Sequence, residues 1–75
     1  MQENKMSEIN AEMSATVWKI EMSEGDDVGA GDVIMILESM KMEIPIEAEE
    51  SGKIDRIAVK EGDSVDDGQL LARIA

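Results

Sequence analysis

The side chains that could do chemistry in this sequence are few in kind. The chain contains no histidine and no cysteine, which removes the commonest general base, the thiolate nucleophile and the usual soft metal ligands. Amines, carboxylates and hydroxyls remain, and Lys41 stands out because Met40 and Met42 flank it. A primary amine on a flexible four-carbon stem can be acylated. Covalent attachment of an acyl group is therefore the chemistry to consider, and we expect no catalytic residue and no metal site.

The residues around Lys41 predict a tight β-hairpin. Strand-forming residues lie on both sides, so residues 39–42 should form the bend, with Lys41 at or beside its tip. An amine in that position lacks the desolvated surroundings that activate a catalytic lysine, but an enzyme can close around it. A lone turn lysine is ordinarily only solvated. The flanking methionines favour a functional role, because turns normally carry Gly, Asn, Asp or Pro, and exposed methionines indicate a surface that another protein covers.

Two copies of one unit make up most of the chain. When the sequence is shifted by 37 positions, residues 9–38 align with residues 46–75, and ten of the thirty pairs are identical. The identities include the triplets Glu24-Gly25-Asp26 and Glu61-Gly62-Asp63. Each triplet predicts a turn, because glycine takes positive φ readily and aspartate bonds its own backbone. The segment between the copies, which holds Lys41, is the one part that the repeat does not explain.

The repeat predicts an all-β fold. Each copy contains short strand-like runs separated by turn residues, as in a sandwich or barrel, and no segment has the length and period of a helix. We predict a flattened eight-stranded barrel or sandwich, a barrel-sandwich hybrid, made of two four-stranded halves related by a pseudo-two-fold axis, with an aliphatic core. Trp18, the only aromatic residue, aligns with Asp55, which favours partial packing on a strand face over ligand stacking. The register of the wholly apolar run 33–37 cannot be read from alternation.

Length and charge exclude several classes of function. With 75 residues there is room for one domain, which we place at residues 8–75 behind a flexible tail at residues 1–7. A net charge of −11 argues against nucleic acid and anionic membranes as partners. No stretch is a signal peptide or long enough to span a membrane, so we expect a cytoplasmic monomer. The acidic clusters lack calcium-loop spacing and predict a solvated face.

The segment Glu38-Ser39-Met40-Lys41-Met42-Glu43 resembles the biotin-attachment motif of the biotinyl/lipoyl carrier family. The resemblance extends over residues 9–75 and includes the Glu-Gly-Asp turns. It implies that Lys41 is the lysine that biotin protein ligase acylates. It also implies that Met40, Met42, Glu38 and Glu43 take part in recognition by the ligase or of the cofactor. The further partners implied are a biotin carboxylase and a carboxyltransferase, between which a non-catalytic chain carries CO₂ on biotin as a swinging arm.

Two departures from the family pattern bear on the details. Ala15 stands where the family often has glycine, whereas its repeat mate Gly52 is retained. The short turn at residues 24–26 has no room for the protruding thumb of some bacterial carriers, so the chain resembles the thumbless type, either freestanding or part of a larger enzyme. The alternatives left open are a carrier of lipoate, or of both cofactors, and an unmodified β-barrel interaction module.

Overall fold

The computed structural model describes residues 7–75 and contains eight strands. Their bounds are β1 Ser7–Asn10, β2 Ala15–Ile20, β3 Asp27–Val28, β4 Val33–Ser39, β5 Met42–Glu47, β6 Gly52–Ile57, β7 Ser64–Val65 and β8 Leu70–Ile74. The predicted tail at residues 1–7 lies outside the described residues except for Ser7, which begins β1. No helix that could span a membrane occurs among residues 7–75.

The strands form two four-stranded antiparallel sheets, which confirms the predicted flattened all-β sandwich. The strand orders are β1-β8-β6-β3 and β5-β4-β2-β7. Shifting by 37 residues places β2 on β6 and β3 on β7, so the repeat read from the sequence is also a structural repeat. Each sheet contains two strands from each copy. The copies are therefore interlocked, and neither half can keep its sheets without the other.

The core is aliphatic, as predicted. Thirteen hydrophobic residues are buried, and no buried polar or charged residue is found among those described. Twelve of the thirteen form six pairs across the repeat: Ala11/Ala48, Val17/Ile54, Val28/Val65, Ile34/Leu71, Met35/Ala72 and Leu37/Ile74. The register of residues 33–37 becomes clear, because a bulge between Val33 and Met35 interrupts the alternation and lets Ile34 and Met35 both be buried.

The acidic residues of the two turns bond backbone N–H groups. Glu24 accepts a hydrogen bond from the N–H of Ile57, and Glu61 accepts one from the N–H of Ile20, each at 2.9 Å. Asp26 likewise accepts from the N–H of Ser23 at 2.8 Å. These carboxylates are exposed, as the predicted solvated face requires, but they also join one copy to the other and close the turns.

Gly25 and Gly62 have φ of 92° and 93°, which confirms the predicted positive φ. A Cβ at either position would meet no atom within 4 Å. The cost of alanine there is therefore conformational, and we expect Gly25→Ala and Gly62→Ala each to lower the free energy of unfolding by about 1–2 kcal/mol. Urea unfolding of the two variants beside wild type measures this. Two variants as stable as wild type would contradict the assignment.

The difference between Ala15 and Gly52 has a steric cause. A Cβ on Gly52 would lie 2.8 Å from Cγ2 of Ile74 and would also meet the backbone of Ala75, so the end of β8 leaves no space for it. Ala15 begins β2 opposite Val65, and its methyl group packs against the core. The departure from the family pattern at Ala15 therefore leaves the strand intact.

Candidate cofactor-attachment site

Strands β4 and β5 form a long hairpin that projects the residues around Lys41. Six cross-strand pairs join the two strands, and the last pair before the bend is Ser39 with Met42. The inner face of β4 is anchored by Ile34, Met35 and Leu37, whose exposed fractions are 0%, 0% and 1%. Because β4 is also paired with β2, one strand of the hairpin is interior in the sheet, and β5 is the edge strand beside it.

The bend is a two-residue loop made of Met40 and Lys41. Their φ angles are 53° and 65°, and positive φ at both central residues defines a type I′ turn. Such turns strongly favour Asn-Gly, because most L-residues lose about 1–2 kcal/mol in the left-handed region, whereas glycine lacks a Cβ and asparagine can hydrogen-bond its own backbone there. Lys41 therefore lies at the tip of a tight hairpin, as predicted. Met and Lys both disfavour the backbone conformation that this turn requires. Strain of this kind is typical of functional sites.

The other residues predicted for the site surround the tip. Met40 is 91% exposed and Met42 is 64% exposed, so both thioethers extend into solvent beside Lys41. Glu38 and Glu43 face each other directly across β4 and β5. Like charges in that relation destabilise a sheet slightly. The structure therefore brings all five predicted residues together at one end of the molecule.

Ser39 links the hairpin to the rest of the domain, which the sequence did not indicate. Its hydroxyl donates a hydrogen bond of 3.3 Å to the carbonyl oxygen of Ser14, in the loop between β1 and β2. The hydroxyl of Ser14 in turn lies 3.4 Å from a carboxylate oxygen of Asp66. No sequence signal could have found these contacts, because they join residues 25 and 52 positions apart.

The tip presents an amine that can accept an acyl group. Lys41 is exposed, and neither of the two ion pairs within residues 7–75, Lys53–Asp27 and Arg73–Asp55, involves it. Within the same residues, no three acidic side chains are grouped so that they could hold a metal ion. An unobstructed amine on a rigid hairpin fits a covalent cofactor such as biotin or lipoate, since the attaching enzyme must enclose the lysine and the arm must then move freely.

Comparison with known proteins points the same way. The family model described as "Biotin-requiring enzyme" (biotin/lipoyl) matches residues 2–74. A biotinylated protein TB7.3 homolog of Mycobacterium leprae is 44% identical over 68 residues, which cover 91% of this chain and 96% of that protein. A biotin/lipoyl attachment protein of Bacillus subtilis is 40% identical over 67 residues, covering 89% of this chain and 92% of that protein.

Solved structures share the fold. The urea carboxylase of Kluyveromyces lactis contains a region that superposes with a TM-score of 0.90 and 36% identity, over 100% of this chain and 7% of that one. The lipoyl domain of the 2-oxoglutarate dehydrogenase complex from Azotobacter vinelandii superposes with a TM-score of 0.75 and 27% identity, over 89% of this chain and 95% of that one. A region of a urea carboxylase and a lipoyl domain thus share this architecture.

Proposed function

The chain belongs to the biotin/lipoyl attachment family, and on that premise we propose that Lys41 carries biotin and serves as the movable carboxyl carrier of a biotin-dependent carboxylase. The observation that carries this proposal is the turn, in which a lysine occupies a strained position at the outermost bend between two exposed methionines. The resemblance of Met40-Lys41-Met42 to the biotin-attachment motif favours biotin over lipoate, as does the similarity to a biotinylated protein and to a region of a urea carboxylase.

The chemistry asked of this chain is nucleophilic attack by one amine. In its deprotonated form, Nζ of Lys41 attacks the acyl carbon of biotinyl-adenylate, an amide bond forms, AMP departs and the proton is released to a base. The acylated nitrogen no longer carries charge, so the net charge changes from −11 to about −12. Bound biotin supplies a ureido nitrogen that accepts and delivers a carboxyl group.

The contribution of the hairpin is to hold the attachment point while the arm moves. The strands beneath Lys41 are fixed in the sheet and through the bond from Ser39 to Ser14, whereas the lysine stem rotates freely. A tether of this kind keeps the reactive group at high effective concentration near two separate active sites. A biotin protein ligase, a biotin carboxylase and a carboxyltransferase are the partners that this role requires.

A mixed assay of the two cofactors tests the assignment. The chain is incubated with biotin, ATP and biotin protein ligase, and in parallel with lipoate, ATP and lipoate ligase. We expect intact mass spectrometry to show one addition, equal to biotin less one water, in the first reaction only, and peptide mapping to place it on Lys41. If only lipoate were added, the chain would be assigned as a lipoate carrier instead. Lipoate is the second candidate because the chain is similar to a lipoyl domain.

A further inference from the structure

At one pair of equivalent positions, the two outer faces of the sandwich carry side chains of opposite character. On the sheet that lacks Lys41, Arg73 and Asp55 form an ion pair at 3.0 Å. Their repeat mates, on the sheet that carries the Lys41 hairpin, are Ile36 and Trp18. A partly exposed ion pair in one copy therefore corresponds to two apolar side chains in the other, and the fold accommodates both arrangements.

The backbone is the same at both places. A β-bulge between Val17 and Lys19 leaves Trp18 as the extra residue, and a bulge between Ile54 and Arg56 does the same for Asp55. Because Asp55 touches Arg73, the equivalent positions of Trp18 and Ile36 are neighbours across β2 and β4. Trp18 is nevertheless 48% exposed, so half of the only aromatic side chain remains in water. This partial exposure does not by itself explain why a tryptophan is used at this position.

This apolar pair lies on the same face of the sheet as the two carboxylates beside the tip. Ile36 and Glu38 are two residues apart in β4 and therefore point the same way, and Glu38 pairs with Glu43. Ile36 is four residues from Met40, or about 14 Å at the rise of a strand. An ordinary interface of about 800 Å² per partner has a radius of about 16 Å, so a protein centred on the tip reaches Trp18.

Resting on the proposed function, we propose that Trp18 and Ile36, bordered by Glu38 and Glu43, form the docking surface for the ligase that acylates Lys41. The matching ligase surface is an apolar pocket with basic side chains at its rim, complementary to the tryptophan and the carboxylates. The ligase is favoured over the carboxylase enzymes because the free lysine has a short reach. The acylating enzyme must therefore press against the hairpin and its sheet, whereas the loaded arm can enter other sites from farther away.

The repeat supplies a matched experiment. Trp18→Asp combined with Ile36→Arg installs the ion pair of the other copy in an equivalent backbone and leaves the net charge unchanged. The control, Asp55→Asn with Arg73→Gln, removes that ion pair from the opposite sheet, also without changing the net charge. We expect the first double variant to raise the KM of biotin protein ligase for the carrier at least tenfold with little change in kcat, and the control to stay within twofold of wild type.

A single variant and the wild-type chain distinguish failure of the docking surface from failure of the carrier function. Trp18→Thr, a strand-forming replacement, tests the loss of the aromatic surface without a new charge and should raise KM severalfold while urea unfolding shows a folded domain. An unchanged KM in folded Trp18→Thr or in the folded double variant would overturn the docking surface and leave the carrier function standing. A wild-type chain that the ligase does not modify would overturn both.

Discussion

Lys41→Arg is expected to abolish attachment of biotin completely. Arginine keeps the positive charge and the length of the side chain, but its guanidinium stays protonated in proteins and offers no amine to be acylated. The turn conformation should be unaffected, because arginine has a Cβ like lysine and meets the same positive φ of 65°. After incubation with biotin, ATP and biotin protein ligase, the intact mass of the variant should equal its mass before incubation, whereas wild type gains one biotinyl group.

The other lysines within residues 7–75 are the internal control for this experiment. Lys19, Lys53 and Lys60 are exposed like Lys41, but none lies in a two-residue bend flanked by methionines. Lys60→Arg should therefore be modified to the same extent as wild type. Residual biotin on Lys41→Arg would assign the attachment point to another amine and contradict the role given to the hairpin.

The same variant separates a carrier from an unmodified interaction module. If the chain acts only through its surface, Lys41→Arg should support the growth of cells that depend on the protein as well as wild type does. We expect loss of that support, together with loss of the biotin signal on a streptavidin blot. Full support from a variant that carries no cofactor would favour the interaction module.

The fold was predictable because the chain encodes it twice. Ten identities at a shift of 37 residues revealed the unit, and the triplets that contain Gly25 and Gly62 located equivalent turns, which the structure confirms. The exchange of strands between the sheets was not predictable, because a repeat shows that two units are alike but does not show which strands pair. The bulge beside Met35 was hidden for a related reason, since five consecutive apolar residues carry no alternation to interrupt.

The position of the candidate site was predictable from the sequence, but the turn type and the contacts that hold the site in place were not. Lys41 could be placed at a bend because strand-like residues flank it and the repeat breaks there. Its type I′ turn could not be foreseen, because Met-Lys is a poor sequence for that turn. The bond from Ser39 to Ser14 and the apolar pair at Trp18 depend on which strands are neighbours, and local sequence does not contain that information.

Because the turn is strained, a substitution that removes Lys41 should make the domain more stable while it abolishes attachment. Met40→Asn combined with Lys41→Gly installs the preferred sequence of a type I′ turn at residues whose φ angles are 53° and 65°. Glycine at residue 41 removes a cost of about 1–2 kcal/mol, and asparagine at residue 40, which keeps a Cβ but tolerates this conformation, relieves part of the same cost, so we expect a gain of about 1–3 kcal/mol in the free energy of unfolding. Little packing is lost, because Met40 is 91% exposed. The midpoint of urea unfolding should rise by about 1 M or more.

Met40→Asn alone serves as the control, because it keeps Lys41 and should give the smaller part of the gain. If the double variant were no more stable than wild type, the turn would not be strained and its sequence would need no functional explanation. If it is more stable, the chain has kept a less stable bend in order to present an amine between two thioethers. A tip selected for stability alone would carry Asn-Gly. The difference in the free energy of unfolding between the double variant and wild type then measures the stability that the chain loses by keeping Lys41 at the tip.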